Sequence, residues 1–138
     1  MPQYSIPTAE VYVPQGDDAT AGILACYQQS DKHFTGVVVT DGRGSPRSGP
    51  YSRYTDDEMV QVRREEQKNA ARVGAFSAQV LLDLPSSAVK DPANTTSIDD
   101  IHAVAAACQA EVVYTHNLAD KHDTHVGVTL KTIAEPVE

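Results

Sequence analysis

Phe34–Thr40 reads FTGVVVT and Ala78–Asp83 reads AQVLLD, two short and nearly unbroken apolar runs rich in valine and leucine. Runs of this length and composition suit strands covered on both faces, as in a parallel sheet, where neither side alternates with solvent. They are expected to form the centre of that sheet. Outward from them, Glu10–Val13 (EVYV) and Glu111–Thr115 (EVVYT) are further strand candidates, each ending in polar sequence.

Helical patterns occupy the intervals, at Ala19–Gln29, Asp56–Val73, Ser97–Gln109 and Thr124–Ile133. Asp56–Gly74 (DDEMVQVRREEQKNAARVG) opens with carboxylates and ends with Arg72 before Gly74, which suits the helix macrodipole and a glycine stop. Ser97 and Asp100 supply an N-cap and a first-turn carboxylate, after which Ile98, Ile101, Ala105 and Cys108 share one face. Strands alternating with helices predict βαβ units. The expected fold is α/β: a mostly parallel sheet with helices on both faces, in a three-layer, Rossmann-like arrangement. Two connections, GRGSPRSGPYSRYT and PSSAVKDPANTT, exceed a minimal strand-to-helix turn, and such loops often carry function.

The length of 138 residues fits one domain spanning 1–138. With 11 basic and 19 acidic residues the formal net charge is −8, which opposes phosphate neutralisation and argues against a nucleic-acid partner. No apolar run reaches the roughly 20 residues of a membrane span, and MPQYSIPTAE lacks the pattern of a signal peptide, so no membrane partner and a cytoplasmic location are expected. A homo-oligomer is as compatible with this acidic composition as a monomer. Cys26 and Cys108 each lie in an apolar helical pattern and read as buried free thiols.

In open α/β sheets ligands bind beyond the carboxyl ends of the strands. Polar residues gather at four such points: Gln15, Gly16, Asp17 and Asp18; Thr40, Asp41, Gly42 and Arg43; Asp83 and its loop; and His116, Asn117, Asp120, His122, Asp123 and His125. Together they could line one cleft. The last run is the most specific, because three of the five histidines stand within ten residues, interleaved with carboxylates. With a helix starting near Asp123, His122 and His125 face one point. The plainer alternative is a polar loop capping a helix. For Asp17 and Asp18 the plainer alternative is an N-cap and a first-turn charge.

The stretch YTHNLADKHDTH (Tyr114–His125) resembles the C-terminal signature of the PIG-L/LmbE-like, zinc-dependent N-deacetylases. VVVTDGRGS (Val37–Ser45) is similar to that family's second strand and glycine loop, and RREEQKNAARVG (Arg63–Gly74) to its helix with an Arg-x-x-Glu pattern, here Arg63 and Glu66. The resemblance implies Asp17 as general base, Asp18 and His125 as zinc ligands, and His122 as the imidazole that stabilises the oxyanion and protonates the leaving amine. Gln15 stands where the family has a ligand histidine. Asp123 and Thr124 swap the family's usual proline and aspartate, leaving Asp120 as a partner for His122. On a second alignment YVPQG (Tyr12–Gly16) matches a Tyr-x-Pro-x-Gly stretch upstream of the motif, the motif itself is missing, and Asp17 and Asp18 are incidental. By this resemblance the domain reads as shortened at its C-terminus and, on the second alignment, internally.

The implied activity is metal-dependent removal of an N-acetyl group from a small amino sugar or its conjugate, of the N-acetylglucosamine type. Zinc is the implied cofactor, another divalent metal being compatible. Arg63, Arg43 and His116 are candidates for gripping substrate oxygens, the alternative for the arginines being solvated surface charges. Two rivals stand beside it: a degenerate, non-catalytic relative that keeps a cleft without zinc, and a different metal site within the C-terminal run, built from His116, Asp120, His122 or His125.

Overall fold

The computed structural model describes residues 9–12, 20–29 and 31–135. His33–Thr40 forms strand β2, buried from Phe34 to Thr40 as its apolar run requires. On one side it pairs with β3 (Ala78–Leu84) and on the other with β1 (Ala9–Tyr12), which pairs in turn with β4 (Val113–Tyr114). All pairings are parallel, in the order β3-β2-β1-β4. The protein is therefore a mixed α/β fold around a small parallel sheet.

Two expectations need correction. β3 lies at an edge, because the chain leaving it crosses β2 and β1 to build β4 on the far side, and its residues are mostly half-buried. Among the described residues β4 pairs through Val113 and Tyr114, against Val11 and Tyr12, while Glu111 and Val112 stay exposed.

The helices are α1 (Thr20–Tyr27), α2 (Asp56–Val73), α3 (Ser86–Lys90), α4 (Thr96–Cys108) and α5 (Asp123–Ile133), with a 3-10 turn at Gly49–Tyr51. The unforeseen α3 and the 3-10 turn fall within the two long connections. Alternate residues of β2 enter different clusters, as the two-residue strand period dictates. Val37 and Val39 pack with Val89 of α3, Ile101 and Cys108 of α4 and Val128 of α5, whereas Phe34 packs with Cys26, Ile23, Phe76 and Tyr114. Burying a side chain such as Ile101 completely is worth about 1.5–3 kcal/mol. Both cysteines are buried thiols outside any disulfide, and Cys108 Sγ donates to Thr35 Oγ1 at 3.6 Å. Among the described residues no helix is long and apolar enough to cross a membrane.

Helix α2 starts with a capping box, Thr55 Oγ1 accepting the Glu58 N–H while the Glu58 carboxylate accepts the Thr55 N–H at 2.7 Å. Helix α4 begins one residue before Ser97, so Ser97 is buried in its first turn rather than capping it.

Helix α2 ends at Val73 with Gly74 as its C-cap, the expected glycine stop, and the left-handed residue is the next one. Phe76 N–H bonds to Ala71 O at 3.0 Å and Ala75 N–H to Arg72 O at 3.3 Å, a Schellman pattern whose left-handed residue is Ala75, with φ 52°. Gly74 keeps a right-handed conformation, φ −77°. It is needed for space, since a Cβ there would lie 2.4 Å from the Phe76 ring, itself packed on Phe34. Relief of left-handed strain, net of glycine's greater unfolded freedom, predicts that Ala75→Gly stabilises the protein by roughly 0.5–1 kcal/mol. Gly74→Ala displaces the Phe76 ring and costs about 1–3 kcal/mol. Urea unfolding of both variants checks the pair, and stabilisation by Gly74→Ala would contradict this assignment.

Candidate metal centre and cleft

Beyond β4 the chain turns sharply, with Ala119 N–H bonded to Asn117 Oδ1 at 2.8 Å and Asp120 N–H to Asn117 O at 3.1 Å. Asp120 Oδ1 then accepts the His122 N–H at 2.8 Å, and α5 begins at Asp123 with His122 at its N-cap position. His116 is buried, and its carbonyl accepts a hydrogen bond from Thr129 Oγ1 on α5 at 2.7 Å. Thr129 spends its only hydroxyl proton there, so Thr115 Oγ1, 3.2 Å away, donates to it.

These turns bring the three imidazoles into one column. The His116 and His125 rings stack with centroids 4.1 Å apart and an interplanar angle of 8°, and His122 stacks on His125 at 4.4 Å and 18°. Asp120 Oδ2 lies 3.1 Å from His125 Nδ1. The Asp120 carboxyl is held below its ordinary range, first by the His122 N–H and then by His125, with smaller coulombic help from His125 and His116. Being ionised it can only accept, so His125 Nδ1 carries the proton, and the neutral form of the ring has its lone pair on Nε2. Asp120 thus addresses the ring of His125 and reaches His122 through the backbone, a correction to its expected pairing with the His122 ring.

Ligand atoms of His116, Asp120 and His125 all lie within 4.8 Å of one another. Two imidazoles and one carboxylate form a donor set suited to zinc, iron or manganese, so the residues present fit a divalent metal.

His122 carries this column to the wall of a cleft of about 410 Å³ at the carboxyl ends of the strands. Thr40, Gly42 and Gly44 contribute from the end of β2, Arg63 from α2, Ser86 and Lys90 from α3, and Asp123 and Thr124 from α5. Gly42 has φ +79°, and a Cβ on it would lie 2.6 Å from Arg63 Cγ, so the residue type serves both turn and close approach. The Arg63 guanidinium pairs with Glu66. Arg43 is turned elsewhere: its Nε donates to buried Asp41 at 2.8 Å, and this hydrogen bond raises its pKa further. Asp83 also leaves the cleft; at φ 54°, beside a break in the β2–β3 register, it takes Arg64 Nη2 at 2.8 Å. Gln15, Asp17 and Asp18 lie outside the described residues. Sequence reasoning missed Ser86 and Lys90, for a five-residue helix shows no periodicity. Lys90 Nζ stands 3.8 Å from Asp123, an exposed pair of small energetic weight.

The profile of the PIG-L family, described as GlcNAc-PI de-N-acetylase, matches residues 14–134 of the chain. No curated protein matches it.

Removing the Thr129 hydroxyl takes this hydrogen bond away from a buried carbonyl, so Thr129→Val should cost about 1–3 kcal/mol in urea unfolding, and a loss under about 0.5 kcal/mol would show that the bond does not hold His116. A depressed folded pKa places Asp120's stabilising contribution above its unfolded value of about 3.9 and removes it as the pH falls through the lower folded value. The stability difference between wild type and Asp120→Asn is therefore steady above about pH 5 and closes below about pH 4. A carboxyl NMR titration placing Asp120 at or above the ordinary value would refute this.

Proposed function

As the chain belongs to the PIG-L family, we propose that it is a metal-dependent hydrolase removing the N-acetyl group of a small N-acetylglucosamine-type sugar or conjugate. The observation that carries this reading is the group of His116, Asp120 and His125, joined through His122 to a cleft of substrate size. The reading takes the sheet as the middle layer of a Rossmann-like frame, supported by the separate clusters on alternate residues of β2. It places the protein in the cytoplasm.

Zinc or a similar ion, when bound, supplies Lewis-acid polarisation of the amide carbonyl and lowers the pKa of a coordinated water toward about 7. His125 is the member shared by the donor group and the family's ligand pattern, with Asp18 the second ligand by that pattern. Asp17 accepts the proton of the attacking water. His122, on the cleft wall, donates to the developing oxyanion and then protonates the departing amine. Arg63 lies at the cleft's edge and offers its guanidinium to sugar hydroxyl or carbonyl oxygens.

Gln15 in place of the family's ligand histidine favours a second reading, a relative that keeps the cleft and has lost zinc. Metal analysis of the purified chain, with acetate release measured on N-acetylglucosamine substrates, separates the two. The proposal predicts bound divalent metal and acetate release in wild type, with both lost in His125→Ala. Protein that takes up no divalent metal and releases no acetate belongs to the second reading.

A further inference from the structure

Gln15 leaves the family's ligand pattern one imidazole short, because a neutral amide is a poor donor to zinc beside a histidine. A buried imidazole stands in the C-terminal run itself. His116 is 4% exposed, and its backbone is clamped to α5 by Thr129. Its ring lies flat against His125, with the Asp120 carboxylate in reach of both.

Resting on the metal-dependent reading above, we infer that His116, Asp120 and His125 hold the metal as protein ligands, in place of the Asp18 that the family's pattern would supply. Donors about 2.0–2.2 Å from one ion are roughly 2.8–3.6 Å apart, the range between octahedral and tetrahedral edges. Asp120 Oδ2 and His125 Nδ1 already stand at 3.1 Å. In the metal-free chain the Nδ1 proton bridges them. On binding, the Nδ1–H bond breaks and its electron pair goes to the ion, while Nε2 of the ring takes up a proton from solvent, so uptake switches the tautomer with no net proton released. The remaining separations, up to 4.8 Å, close by side-chain rotation. His122 stays outside the ligand set, stacked on His125 and facing the cleft, where it is available to substrate. Asp120's short turn and Thr129's hydroxyl hold the carboxylate and the His116 backbone in place before the ion arrives.

The rival arrangement has Asp120 outside the coordination sphere, orienting His125 through Nδ1, a role whose loss costs 10–100-fold in metal affinity. Titration calorimetry of the full chain with zinc and visible spectra of the cobalt form distinguish them. Wild type, His116→Ala, His116→Gln, Asp120→Ala and the control His33→Ala are compared, His33 lying at the opposite end of β2. Affinity should fall more than about 100-fold in the His116 and Asp120 variants, beyond the outer-sphere range. The cobalt spectrum should change with each of them, and His33→Ala should behave as wild type.

A His116 variant within about threefold of wild-type affinity overturns the assignment, as does a 10–100-fold loss in Asp120→Ala with an unchanged cobalt spectrum. Nitrogen NMR of wild type serves if the variants fail to fold: a His116 ring nitrogen must shift on zinc addition, and one that does not move excludes it as a ligand. Acetate release with metal binding indifferent to His116 would sink this ligand set alone. A wild-type chain that binds no metal would sink both this and the hydrolase reading.

Discussion

Helix α5 lies at this distance from α3 because Gly127 has no side chain, since a Cβ there would stand 3.0 Å from the Val89 carbonyl oxygen and push the two helices apart by a few tenths of an ångström. Each neighbouring residue then uses the short distance. Val128 enters the core beside Val89, and Thr129 reaches the His116 carbonyl. Lys131, though buried, places its ammonium on the carbonyls of Asp91, at 2.8 Å, and Asn94. A lysine has three donors and no acceptor, and these two carbonyls take the place of a carboxylate partner. The contact also sets the cleft, because α3 carries Ser86 and Lys90 to one wall and α5 carries His122 to another.

The same helix determines the imidazole column. His122 and His125, three residues apart at the start of α5, stack as neighbours on a helix must, and His116 joins them because Thr129 draws the strand-end backbone toward α5. The ionised Asp120 biases the central ring toward carrying its proton on Nδ1. The outcome is a polar centre shielded from water on the His116 side and open to the cleft at His122.

Much of the fold was legible in the residue pattern. The run FTGVVVT became a wholly buried strand, and Asp56–Val73 formed with the boundaries its charges and caps imply. Less legible was AQVLLD, whose apolar run reads the same at the centre of a sheet as at a half-covered edge, because the covering comes from helices distant in sequence. Gly74 stops α2 as its position implied, but that Ala75 bears the left-handed conformation and Gly74 makes room for Phe76 is an arrangement no local rule specifies. Ser86 and Lys90 stayed hidden because α3 is too short to show a period and is held by Gly127 from across the chain.

The sequence by itself determined the α/β order, the buried thiols and the placing of three histidines and their carboxylates just after a strand, since these rest on local pattern and spacing. Only the tertiary structure decided that Asp120 pairs with the ring of His125, that Arg63 lines the cleft while Arg43 turns to Asp41, and that Asp83 faces Arg64. Hydrogen-bond choice among several nearby partners depends on distances of a few tenths of an ångström. Those distances are set by how helices pack across the sheet, and residue types alone do not encode them.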